Sequence, residues 1–283
     1  MKFNGSLAWQ EGINAIGANR SVLAPVAGVF FLLPALASVW FMSDVQMALM
    51  GSLDDPEKAK RLVEGIGAGT WLTGIVSTLL QMAGFMALLS LFRDDGRPTV
   101  GQAIGSAFTG LPTLIGAMIV SFIGFFFATF LIFSVVAVLG AAAPPLGFVL
   151  GLIAMAVMVY IPVKLSLTMP VIVIEKVGNP VSALARSWRL TKGNSLRLFG
   201  FYLLLLIGYV VISAVVISVL GVLLGIGQFT SDSLMPGSAA LIAMGLASGL
   251  IGAAVSVLFS AIIASIHRQL AGPSTGAIAE TFL

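Results

Sequence analysis

The chain has 283 residues, of which 59% are hydrophobic and only 9% charged, with a formal net charge of +3. A water-facing domain carries roughly a quarter charged residues, so this composition excludes a soluble globular protein and makes lipid the outer solvent. With no cysteine, disulfides, thiolate metal sites and thiol catalysis are excluded as well. In chain order, the opening MKFNGSLAWQEGINAIGANR is broken by polar residues before an apolar core forms. It is therefore not a signal peptide, and the first span should serve as the targeting signal.

Apolar runs and their breakers predict six spans, at 21–43, 70–92, 109–139, 147–173, 198–226 and 239–266. The stretches 106–163 and 198–231 contain no Asp, Glu, Lys or Arg, and each exceeds the about 20 residues that cross a bilayer as helix. The fold class expected is an all-α membrane bundle, a single membrane domain over 1–283. Lys2, Arg20, Arg93, Arg97, Lys176, Arg186, Arg189, Lys192, Arg197 and Arg268 then share one side, against Lys58, Lys60 and Arg61 on the other. The positive-inside bias places both termini in the cytoplasm. The connection 44–69 holds SLDDPEKAKRLVEGIG, in which Asp55 can cap, Pro56 opens and Gly65 or Gly67 stops a short helix outside the membrane. Its carboxylates, Asp54, Asp55, Glu57 and Glu64, suit a solvated helix better than a cation site.

The cytoplasmic segments leading into spans one, three and five share a design. In NPVSALARSWRLTKGN, Asn179 caps, Pro180 takes the first helical position, and Val181, Leu184, Ala185 and Trp188 form an apolar stripe. Arg186, Arg189 and Lys192 lie away from that stripe, as in a helix lying on anionic lipid with Trp188 at headgroup depth. Val100, Ile104 and Ala107 or Phe108 repeat the pattern before span three, and Trp9, Ile13 and Ile16 before span one. Breaks at Asn19, Pro112 and Asn194 would make three parallel units, 1–92, 93–174 and 175–270, each an interfacial helix plus a hairpin, with a tail at 271–283. SFIGFFFATFLIF in span three should face lipid. Gly245, Gly249 and Ala253 in span six sit at four-residue spacing, which favours close helix packing within the bundle over a homo-oligomer or partner seam.

Little in the chain suggests catalysis. There is no phosphate-binding GxxxxGK[ST] loop, and the sole histidine, His267, reads as an interface anchor beside Arg268. FRDDGRP at 92–98 reads as a surface turn. The chain is thus expected to be neither an enzyme nor a holder of cofactors or metal.

Lys164, in YIPVKLSLTMP, is the exception to the apolar pattern. An ammonium at membrane depth costs a few kcal/mol and is a candidate functional group by default. If span four runs to Ile174, Lys164 lies about 16 Å from Glu175 along the helix and requires a partner: Gln81, carbonyls freed by Pro162 and Pro170, or an anionic ligand. If the span ends near Val163, Lys164 is an inner anchor. Candidate ligand-binding residues are therefore Lys164, Gln81, Arg186, Arg189, Lys192 and Trp188.

The stretch LTMPVIVIEKVGNPVSALARSWRLTKGN, with the opening AWQEGINAIGANRSVLAPVAGVFFLLPAL, resembles the multi-span domain of bacterial glycerophosphodiester phosphodiesterases and the related YciC-like inner-membrane proteins. In that family hydrolysis resides in a separate soluble barrel with an acidic metal site and a His-Arg motif. Here HRQ at 267–269 leaves no room for such a barrel after it, so the resemblance implies the membrane part alone. It implies a bacterial inner-membrane protein concerned with envelope lipids. Engagement of anionic phospholipid is the leading expectation. A secondary transporter or small-solute permease with Lys164 in its pathway, and a scaffolding subunit joined through Gly/Ala faces, are the alternatives.

Overall fold

The structure, a computed structural model, describes residues 2–38, 56–93, 98–223 and 239–272. These residues form nine helices and no strand. α1 runs from Gly5 to Ser38 and passes through a π-helical turn at Gly28–Leu32. α2 is Pro56–Gly65, α3 Ala68–Leu91, α4 Val100–Ala142, α5 Pro144–Leu165 and α6 Thr168–Val173. α7 is Pro180–Leu190, α8 Ser195–Leu223 and α9 Ala239–Ala271. Six stretches are long and apolar enough to cross a membrane, with α5 and α6 together making the fourth. This is a multi-pass membrane protein. Asp54 and Asp55, the turn at 94–97, the tail beyond 272, and the ends assigned to spans one and five lie outside the described residues.

The boundaries follow from capping. Asn4 accepts from the amide of Leu7 at 3.1 Å, opening α1. Thr99 and Gln102 form a reciprocal capping box at the start of α4. Asn179 accepts from the Ser182 amide with Pro180 in the first turn, as expected for α7. Gly193, at φ +81, makes the turn into α8.

At the other two positions where a break was expected, the helix continues. Asn19 turns its amide onto the carbonyl of Ala15 at 2.8 Å, and α1 runs on. Pro112 sits inside α4 without ending it. Only the third site has a glycine in the left-handed region, and only there does a turn separate a short helix from its span. The π turn in α1 was not visible in the sequence. It follows Pro25 by three residues and presents Phe30 and Phe31 to α3.

Small residues bring the helices together. A Cβ on Gly84 would lie 2.3 Å from Cβ of Phe30, so α3 and α1 nearly touch there. α1 lies antiparallel to α9: Gly12 abuts Ile262, and Gly249 abuts Leu32 and Ala35. Gly249 thus packs inside the bundle, the role expected of the small-residue ridge. Gly140 and Gly147 close the α4–α5 hairpin, where either Cβ would meet the opposing backbone.

The most buried side chains, including Met86, Leu89, Leu167, Val171, Leu198, Ile262 and Ile266, gather where α1, α3, α6, α8 and α9 converge. The N-terminus is tied to the same end. The amide of Phe3 donates to Oδ1 of Asn194 at 2.9 Å, and that of Asn4 to Oε1 of Gln269 at 3.1 Å. We call this the basic end, since Arg186, Arg189, Lys192, Arg197 and Arg268 cluster at it. Away from it α4 and α8 are largely bare: Phe122, Phe126, Phe127 and Phe130 are exposed, as are Leu204, Ile212 and Val222. Such surfaces belong against lipid.

Candidate functional site

Lys164 lies at the joint between α5, α6 and α7, and it is 2% exposed. Its ammonium stands 5.3 Å from the centre of the Tyr160 ring and 5.4 Å from that of Trp188. The two rings meet edge to face with centroids 6.0 Å apart. The negative π faces supply what a counter-ion would. Tyr160 precedes Lys164 by one helical turn, and Trp188 arrives from α7.

The main chain at this joint is equally engaged. The carbonyl of Lys164 accepts from the hydroxyl of Ser187 at 2.9 Å and from that of Thr191 at 3.3 Å. The Ser187 oxygen in turn accepts from the amide of Leu167 at 3.2 Å. α5 stops at Leu165 and α6 begins at Thr168, so α7 satisfies backbone groups that this interruption would leave bare.

Lys164 is too buried to be the interfacial anchor that one sequence reading made it. Its ammonium meets two rings where the other reading offered Gln81. Gln81 is exposed on α3 and is not among its contacts. α7 buries Ala183, Ser187 and Leu190 and leaves Val181, Trp188 and Arg189 exposed, with Lys192 exposed just beyond its end. Of the expected apolar stripe, Val181 and Ala185 are exposed, Leu184 packs against the core, and Trp188 is partly turned to Lys164 and Tyr160.

Arg186 behaves differently from its neighbours. Its Nε donates to Glu175 at 2.9 Å, and His267 Nε2 approaches the other carboxylate oxygen at 2.9 Å. Partial burial pushes the Glu175 carboxyl up, but the hydrogen bonds and charges of His267 and Arg186 outweigh that and hold it below the usual carboxylate value. An ionised carboxylate can only accept, so the proton of this contact resides on Nε2. His267 is 4% exposed. It is a buried polar partner, contrary to the anchor role read from the sequence. A turn away, Ser265 donates to Glu11, and Arg268 Nη2 lies 3.4 Å from the same carboxylate. These two clusters fasten α9 to α7 and to α1. Glu175 and His267 are far apart in the chain, and nothing in their spacing signals the pair.

Two lateral grooves flank the end of α5. One, of about 690 Å³, lies between α3, α4, α5, α6 and α9 and is lined by Phe85, Met118, Phe122, Ile161 and Met169, among others. The second, of about 750 Å³, lies between α5, α8 and α9 and includes Trp9, Met158, Tyr202, Leu204, Gly208 and Ile212. Pro162, Ser166 and Phe259 line both. The Tyr202 hydroxyl donates to Ser166 at 3.1 Å, a polar contact between otherwise hydrocarbon walls. Lys164 lines neither groove.

The stretch from the last turns of α4 to the end of α9 has a recognisable relationship. Residues 135–272 match the family described as the membrane domain of glycerophosphoryl diester phosphodiesterase. The match covers a little under half of the chain and includes the Lys164 joint, α7, α8 and His267. It leaves out α1 and α3, and with them Glu11 and Gln81. No curated protein and no solved structure matches the chain.

Proposed function

We propose that this is a non-enzymatic protein of the bacterial inner membrane, with both termini cytoplasmic, that binds an anionic phospholipid of the cytoplasmic leaflet and serves in lipid handling. The observation that carries this reading is the groove between α5, α8 and α9 and the cation above it. Leu204, Gly208 and Ile212 line the groove, and Arg197 lies about two turns earlier on the same face of α8. It is exposed at the end where Arg189 and Lys192 also stand. Acyl chain below and phosphate above is the order in which a phospholipid presents its own chemistry. The positive-inside bias would set this end in the cytoplasm, where anionic headgroups attract basic residues. The family match concerns the membrane part of an enzyme family and is compatible with a role apart from hydrolysis.

The test uses phosphatidylglycerol or phosphatidylcholine carrying a photoreactive acyl chain, in proteoliposomes of the full chain. Crosslinks should concentrate on Leu204–Ile212 and favour the anionic lipid. Gly208 is suited to blocking the groove, because a side chain begun there meets nothing within 4 Å. Gly208→Phe should therefore fill the groove without unfolding the bundle and abolish these crosslinks. Arg197→Gln should reduce the anionic preference about fivefold, since one cation near the headgroups contributes ~1 kcal/mol. Equal labelling by both lipids, unaffected by Gly208→Phe, would defeat the proposal.

A further inference from the structure

A third cavity differs in chemistry from the two grooves. It has about 370 Å³ and lies between the start of α4 and the loop joining α6 to α7. Ser106, Thr109 and Thr113 bring three hydroxyls to it from one side of α4, and Lys176 and Gly178 close it from the loop. We propose that this cavity is a phosphate-ester site, with Lys176 as its cation and the α4 hydroxyls as adjustable donors. The inference stands apart from the groove between α5, α8 and α9.

Three features converge on this reading. The first is charge. Glu175, the neighbour of Lys176 in sequence, is committed to Arg186 and His267. Among the described residues no carboxylate pairs with Lys176.

The second feature is backbone conformation. Lys176 has φ +55 and is the described non-glycine residue with positive φ. An L-residue there costs about 1 kcal/mol that glycine would not. A lysine held in that conformation, with Gly178 close by, is what a site needing the ammonium would retain.

The third is hydrogen-bonding capacity. Thr109 donates to the Ser106 carbonyl and Ser106 to that of Ala103. These two carbonyl bonds are local to α4, and a hydroxyl rotor can exchange them for a phosphate oxygen, although Ser106 also meets the Ser90 hydroxyl of α3 at 3.1 Å. Thr113 donates to the Gly178 carbonyl at 3.0 Å and fixes the loop over the cavity. α7 begins two residues beyond Gly178, and its positive end adds to the field.

The source of the phosphate ester, a lipid headgroup or a water-soluble compound, is decided by experiment. Full-length protein in phosphatidylcholine nanodiscs is titrated calorimetrically with inorganic phosphate and with glycerol 3-phosphate. In parallel, nanodiscs with and without phosphatidylglycerol are compared for protection of Lys176 from an amine-acetylating reagent, read by mass spectrometry. Lys176→Gly is the main variant, because it removes the ammonium while relieving the backbone, so thermal stability should hold or rise. Thr109→Val is the second.

Binding of either soluble phosphate, weakened about tenfold or more by Lys176→Gly and less by Thr109→Val, supports the proposal with a soluble ligand. Protection of Lys176 by phosphatidylglycerol, weakened by Thr109→Val, supports it with a headgroup. If neither soluble phosphate binds and the lipid leaves acetylation of Lys176 unchanged, the proposal is overturned, as it is if binding survives Lys176→Gly. Crosslinking at Leu204–Ile212 should be the same in wild type and Lys176→Gly, so failure here would leave the groove reading intact.

Discussion

Ser187 does more for the joint than its size suggests. It donates to the Lys164 carbonyl and accepts from the Leu167 amide, so Ser187→Ala strands a donor and removes one of two donors from an acceptor, all in a buried place. A loss of about 1–3 kcal/mol is expected, seen as a lower midpoint for thermal unfolding in detergent, while Ser182→Ala on the exposed side of α7 should leave the midpoint nearly unchanged. Glu175 gives a pH prediction. Its folded pKa is depressed below the ordinary carboxylate value of 4.5, so its contribution is complete above about pH 4.5 and is lost as pH falls through the lower folded value. Acidification below pH 4.5 should loosen α9 from α7. Hydrogen exchange at His267 and Arg186 should report that loosening, and Glu175→Gln should remove the pH dependence. Lys164 was legible in the sequence as unusual, but its partners were not. A search for counter-charges looks for carboxylates and amides, whereas the structure uses the faces of Tyr160 and Trp188.

At the scale of elements, glycine decides where helices may touch. Gly84 on α3 leaves no room against Phe30, and the obstructing atom is fixed to the backbone. Gly84→Ala should therefore push α3 off the π turn and cost about 1–3 kcal/mol. The same substitution at Gly101 or Gly105, where nothing lies within 4 Å, should be neutral or slightly stabilising. Gly193→Ala tests the turn between α7 and α8. At φ +81 it should cost about 1–2 kcal/mol, and a thermal melt would show it. Where spans lie was readable, because hydropathy alone dictates it. The continuity of α1 and α4 was not, because Asn19 and Pro112 carry the chemistry of helix breaks. A proline removes one amide bond, and a long apolar helix held by neighbours can accommodate that.

For the whole molecule, the chain without cysteine invites topology mapping. Single cysteines at Arg189 and Lys60, labelled by an impermeant thiol reagent, should react from opposite sides of the membrane, with Arg189→Cys reactive from the cytoplasm. Both reacting from one side would overturn the proposed topology. The convergence at the basic end was only half visible beforehand. Counting Lys and Arg brings residues such as Arg186, Arg189 and Arg268 to one side, since charge follows orientation. That α9 would be fastened there twice, through Glu11 and Glu175, depends on three-dimensional contacts between residues more than ninety positions apart. The grooves were equally hidden, because they arise from how α5 stands away from α9, a matter of packing that hydropathy does not encode.

The cradle of Lys164 has one more consequence, for behaviour in salt. Partly exposed pairs such as Arg268 with Glu11, and exposed cations such as Arg189, are screened as ionic strength rises. A buried ammonium held by ring quadrupoles has no mobile ions around it to do the screening. On the proposed lipid role, concentrated salt should therefore strip the outer face of α7 from an anionic surface while its inner face stays seated on α5. The helix would remain in register, ready to rebind when the salt is diluted. Trp188 belongs to both faces, and its fluorescence would distinguish a helix that has let go of its surroundings from one that has let go of the protein.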